Sequence, residues 1–151
     1  MREHLKFYID GAWVDPAGSA TLEVINPATE AVAGRIAMGS AEDVDRAVKA
    51  ARKAFDGWSR TPREERLAVL ERIIAEYQKR FGDVAAAITE EMGSPAWLAQ
   101  RAQAAMGAAH LQTAAEILKT YPFEATEGKF LVAKEPIGVC GLITPLSLIH
   151  I

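Results

Sequence analysis

The groups whose types and positions could do chemistry are a lone thiol, an acid pair, two spaced glycines and three arginines. Cys140 is the single cysteine. A thiolate attacks a carbonyl carbon when a neighbouring cation or base lowers its pKa. The residues beside it are Val139, Gly141 and Leu142. None is a base or a cation, so Cys140 reads as a small apolar core residue. Gly138 and Gly141 make a Gly-x-x-Gly, a degenerate form of the loops that cradle phosphates. The third glycine and the following helix that such a loop requires are missing, and close backbone packing is the expected use. Glu90 and Glu91 stand side by side at a helix end, where the ordinary reading is solvated surface and the competing one is a cation ligand. Arg60, Arg63 and Arg66, interleaved with Glu64 and Glu65, read as a solvated helix face rather than an anion site. His4, His110 and His150 are scattered without metal-ligand spacing. By themselves these residues form no catalytic constellation.

The bulk properties narrow the classes. The 151 residues are 50% hydrophobic and 25% charged, as in an ordinary globular protein. A formal charge of -3 provides no basic field, so nucleic acid is not an expected partner. No apolar stretch reaches the roughly 18 residues of a spanning helix, so no membrane role is expected. With one cysteine, an internal disulfide is impossible. Residues 1–7 carry charges but no apolar signal core. A cytoplasmic location is the expectation.

The elements that must position these groups follow from pattern. Phe7-Tyr8-Ile9 and Trp13-Val14 flank Asp10-Gly11, a strong hairpin-turn dipeptide. Residues 21–25 alternate in part and stop at Asn26-Pro27; residues 32–37 make a further short strand. Ser40-Ala41-Glu42-Asp43 reads as a capping box. Val44, Ala47, Val48, Ala51, Phe55 and Trp58 then recur at helical spacing and define one apolar face. Thr61-Pro62-Arg63-Glu64 opens a second helix, with Pro at its first position and Leu67, Leu70, Ile73, Ile74 and Tyr77 on its buried face. Gly82 is expected to end it. A short helix follows from Asp83 to Met92, closed by Gly93. Ser94-Pro95 starts a long Ala-rich helix reaching about Lys119, and Tyr121-Pro122 stops it. Residues 129–135 read as a strand. The apolar run 137–143, between Pro136 and Pro145, reads as a strand buried on both faces of a parallel sheet. Such a sheet needs further strands and crossover helices.

These pieces, in this order, resemble the N-terminal part of the aldehyde dehydrogenase superfamily. The resemblance rests on residues 7–14 (Phe-Tyr-Ile-Asp-Gly-Ala-Trp-Val), Val24-Ile25-Asn26-Pro27-Ala28-Thr29 and 43–55 followed by Trp58. It continues through Arg63-Glu64-Glu65-Arg66 and Glu90-Glu91-Met92-Gly93-Ser94-Pro95 to the run 135–145. It implies an α/β fold: a β-hairpin and short strands, a helical layer, and the first strand of a Rossmann-like cofactor domain, truncated there. Residues 1–145 would be the N-terminal portion of the aldehyde dehydrogenase domain. Residues 146–151 match nothing in the family and are expected to be a foreign tail.

The resemblance further implies an oxidoreductase that converts an aldehyde to a carboxylic acid with NAD or NADP through a cysteine thioester, working as a homodimer or homotetramer. Ile143, Thr144 and Pro145 would line the nicotinamide-ribose side of the cofactor. Some members bind a monovalent cation through carbonyls at positions matching Val24 and Ile25 and an acid matching Glu91, where Asp is the more usual residue. No catalytic residue carries over. Cys140 does not match the nucleophile, and the family's oxyanion asparagine falls at Ser147, whose side chain is too short to replace an amide donor. The chain alone is therefore expected to be inactive. Without partner strands the run from Ile137 to Ile143 would expose backbone edges and apolar side chains, so poor solubility is expected too. The alternative reading is a non-catalytic helical interaction module built on the helices at 41–58, 62–80 and 95–119.

Overall fold

The computed structural model describes residues 2–143. The architecture is α/β, in three small sheets and a layer of helices. Strands β1 (Arg2–His4), β4 (Thr21–Ile25) and β5 (Val32–Ala37) form one sheet in the order β1-β5-β4, with β1 parallel and β4 antiparallel to β5. Strands β2 (Phe7–Ile9) and β3 (Ala12–Val14) make the expected hairpin. Its turn residues, Asp10 and Gly11, both take positive φ (52° and 80°), as a tight primed turn requires. Strands β6 (Glu124–Glu127) and β7 (Phe130–Ala133) make a second hairpin.

Helix α1 (Ala41–Trp58) starts at the capping box read from the sequence. The Asp43 N–H donates to Ser40 Oγ (3.3 Å), and the Ser40 N–H donates back to Asp43 Oδ2 (2.9 Å). Asp43 also accepts from the Ala17 N–H (2.9 Å), which ties the loop after β3 to the helix start. These backbone donors, Ser40 first and Ala17 next, hold its carboxyl below the ordinary value of 3.8. Helix α2 (Arg63–Lys79) runs into α3 (Phe81–Met92), which ends at Gly93 in the left-handed region (φ 70°). A short α4 (Ala96–Leu98), a π-helical stretch (Ala99–Ala104) and α5 (Ala105–Thr120) follow, and Tyr121 breaks the helix before Pro122. The core is built of small residues: Ala85, Ala99 and Ala104 are fully buried, with Phe81, Val84 and Ile88 packed around them. Among the described residues no large side chain is fully buried.

Several expectations need correction. Pro62 is the N-cap of α2, not its first residue, and no side chain caps that end, because the Thr61 hydroxyl turns back to the Gly57 carbonyl (3.4 Å). Gly82 lies inside α3 rather than ending α2, since the break between the two helices falls two residues earlier, at Arg80. The long Ala-rich helix is interrupted by the π-helical stretch. There the Tyr77 hydroxyl donates to the Ala104 carbonyl (2.8 Å), supplying a donor where the regular ladder shifts register. Strand β7 spans only 130–133, and its partner β6 escaped the pattern because Glu-Ala-Thr-Glu does not alternate in hydropathy.

The apolar run is corrected in part: its strand is absent, while its exposure is what a run without partner strands is expected to show. Residues 134–143 form no strand, and Ile137, Leu142 and Ile143 are 93%, 90% and 97% exposed. Among the described residues no neighbouring strand pairs with it, and a strand needs a ladder partner to satisfy its backbone. Cys140 is exposed with it, not a core residue. The apolar face of α1 is also uncovered: Val44 is 59% and Trp58 53% exposed.

Candidate functional site

Two motifs far apart in sequence converge. The turn after β4 is shaped by Asn26, whose Oδ1 accepts from the Ala28 N–H (2.9 Å) and whose carbonyl accepts from the Glu30 N–H (2.8 Å). This places Pro27 against the end of α3. A Cβ on Gly93 would lie 2.8 Å from Pro27 Cγ, so a glycine with φ 70° both closes the helix and admits the proline ring. The Asn26-Pro27 and Glu90-to-Pro95 segments therefore form one junction, with a cleft of about 580 Å³ between Asn26, Thr89, Glu90, Ser94 and Gln100.

The positions expected for a monovalent cation lie at this junction. Val24, Glu90 and Glu91 line a small cavity of about 80 Å³, together with Arg2, His4 and Arg35. Ile25 sits at a β-bulge beside Val24 and is 45% exposed. Arg2 approaches both acids: Nη2 is 2.9 Å from Glu90 Oε2, and Nη1 is 3.6 Å from Glu91 Oε1. The carboxylate that the resemblance offers to a metal is thus already paired with a guanidinium, and these residues as they stand do not fit a second cation. No cluster of three or more His, Cys, Asp or Glu side chains suited to a metal exists among the described residues.

Of the expected cofactor-lining residues, Ile143 ends the described chain as a bare apolar side chain; Thr144 and Pro145 lie outside the described residues. Gly138 takes φ 131°, a conformation that favours glycine, and among the described residues no helix starts after it. Cys140 Sγ lies 4.0 Å from the Gly138 carbonyl oxygen.

The arginine face is more than solvated surface. Arg63 donates to the Lys119 carbonyl (3.2 Å) and the Tyr121 carbonyl (2.6 Å), satisfying the C-terminal end of α5. Its guanidinium and that of Arg66 lie over the Phe123 ring, at 5.5 and 4.9 Å from the centroid. Arg60 remains exposed, as expected. The roles of Arg2 and Arg63 escaped the sequence because each depends on a contact made far along the chain.

The fold defined by these elements is the N-terminal part of the aldehyde dehydrogenase architecture. Residues 13–147 match the sequence profile of the Aldehyde dehydrogenase family, and the chain belongs to that family. It is 53% identical over 146 residues to a 3-succinoylsemialdehyde-pyridine dehydrogenase of a Pseudomonas species, covering 96% of this chain and 31% of that one. Among solved structures it is similar to an aldehyde dehydrogenase of Bartonella henselae (TM-score 0.82, 40% identity, 85% of this chain and 28% of that one). It is also similar to a Mycobacterium tuberculosis aldehyde dehydrogenase complexed with NAD+ (TM-score 0.83, 30% identity, 89% of this chain and 29% of that one). The chain spans about 30% of the length of the curated relatives it matches.

Proposed function

We propose that this chain is the N-terminal portion of an NAD(P)-dependent aldehyde dehydrogenase that turns an aldehyde into a carboxylic acid, and that the 151 residues alone are inactive. The observation that carries the reading is the profile match over 13–147, together with the convergence of the Asn26-Pro27 and Glu90-to-Pro95 motifs in one junction. A nicotinamide cofactor, when bound, supplies the hydride acceptor. This chain's contribution would be scaffold: the junction fixes the sheet on α3, Arg63 fixes α2 on α5, and Ile143 with Thr144 and Pro145 offers a wall to the cofactor. The nucleophilic cysteine that forms the thioester, the oxyanion-holding amide and the glutamate that activates water would come from other parts of the polypeptide.

The assay is the aldehyde-dependent appearance of reduced nicotinamide, run on the 151-residue chain and on the complete product of its gene. Pyridyl semialdehyde, octanal and lactaldehyde make a suitable first panel. The expected result is turnover by the complete product and none by the chain alone. Turnover by the chain alone, or a complete product that oxidises no aldehyde across a broad panel, would refute the proposal.

A further inference from the structure

The β1-β5-β4 register sets Arg2, Gly34 and Val24 in one row across the sheet. Gly34 lets β1 lie close, since a Cβ there would stand 2.8 Å from the Arg2 carbonyl oxygen. From this row the Arg2 side chain reaches the end of α3 and spans two adjacent carboxylates, one at each terminal nitrogen. Glu90 and Glu91, both partly exposed, repel each other, and a cation between them eases that repulsion. A guanidinium, with donors pointing along two directions, suits a divided acid pair better than a single point charge does. The other charged group lining the small cavity is Arg35, and His4 lines it as well. Arg35 is engaged by Glu23 at 3.2 Å on the same sheet. The acids are thus answered by Arg2 itself, and a metal ion in this small cavity would share its lining with a guanidinium.

We propose that the Arg2 guanidinium is the resident cation of this junction, and that the chain holds Val24 and Glu91 together without a bound metal ion. Arg2 lies outside the residues that match the family profile.

The test measures thermal unfolding and sodium-23 NMR line width on the complete gene product, whatever its length. Sodium, potassium and choline chlorides are compared at equal ionic strength. Neither readout depends on aldehyde oxidation, so the outcome is separate from that of the activity assay. The native protein should melt at the same temperature in all three salts and give no excess sodium line width. Arg2→Met, which keeps the stem and removes the charge, should melt about 2–4 °C higher in sodium or potassium than in choline. It should also broaden the sodium signal, and adding Glu91→Gln should abolish both effects. Excess broadening or sodium-dependent melting of the native protein would overturn the proposal, as would an Arg2→Met protein indifferent to the salt. Where Arg2→Met does not fold, the native measurement decides.

Discussion

Gly107→Ala should destabilise the protein although it replaces glycine inside a helix, where alanine is favoured by about 1 kcal/mol. Gly107 lies in the first turn of α5, facing Tyr77 of α2. A Cβ there would sit 2.5 Å from the Tyr77 hydroxyl oxygen and 3.0 Å from Cζ. The ring must move, and its hydrogen bond to the Ala104 carbonyl is lost. Overpacking costs about 1–3 kcal/mol, and the lost hydrogen bond about 1 kcal/mol more. Offset by the helix preference, the net loss is about 1–3 kcal/mol. Tyr77→Phe removes the hydrogen bond and the closest atom together, so adding Gly107→Ala to it should cost less than in the native background. The two changes should couple by about 1–2 kcal/mol in a double-mutant cycle. Urea unfolding of the four complete gene products, with unchanged slopes, measures this. A Gly107→Ala protein about 1 kcal/mol more stable than the native one, or a strictly additive cycle, would refute the reasoning.

Two further outcomes are expected. The carboxyl of Asp43 is held below its ordinary value by the Ser40 and Ala17 N–H donors, so its contribution is complete above about pH 4 and fades as the pH falls through its folded value. Asp43→Asn should therefore melt lower than the native protein at neutral pH, and the gap should close on acidification; parallel melting curves from pH 6 to about pH 3 would refute this. Arg63→Ala should cost about 1–2 kcal/mol by freeing the Lys119 and Tyr121 carbonyls and uncovering Phe123, and Arg63→Lys should recover less than half of that for lack of a two-pronged donor. Full recovery by lysine in the same urea titration would show that charge alone matters.

What was legible in the sequence is what local chemistry decides. The Asp10-Gly11 turn, the Ser40–Asp43 box, the Gly93 stop and the pre-proline break at Tyr121 each depend on residues within one turn of chain, and each stands where the pattern placed it. What depended on distant partners was illegible. Arg-Glu-His gives no reason to expect β1 until β5 lies beside it, and the π-helical stretch shows only in the meeting of Tyr77 with Ala104. The apolar run was legible in part: its exposure without partner strands is expected from the sequence, the loss of its strand form is not. Its hydropathy describes a buried strand, yet hydropathy states a requirement for burial and cannot furnish the neighbours that would meet it. The same holds for the α1 stripe, read correctly as one apolar face and found uncovered. At the junction, the Val24 and Glu91 positions could be named by resemblance, whereas Arg2 between the acids could not, because its place follows from a parallel strand register.

The uncovered surfaces bear on the choice between a working part of a larger fold and a self-standing interaction module. The accessible surface is 11468 Å². A folded monomer of 16.3 kDa exposes about 7,500 Å². A helical module that seeks a partner would concentrate its excess on one helix face or groove. Here the exposed apolar groups sit on unlike elements: Tyr8 and Trp13 on the first hairpin, Val44 and Trp58 on α1, Phe130 and Leu131 on β7, and Ile137 to Ile143 on an extended run. A single groove-binding partner does not cover four such surfaces. The last of them, moreover, asks for strand neighbours rather than for a helix. Contiguous polypeptide wrapping several faces at once meets all four demands, which is what a longer enzyme of this family would provide.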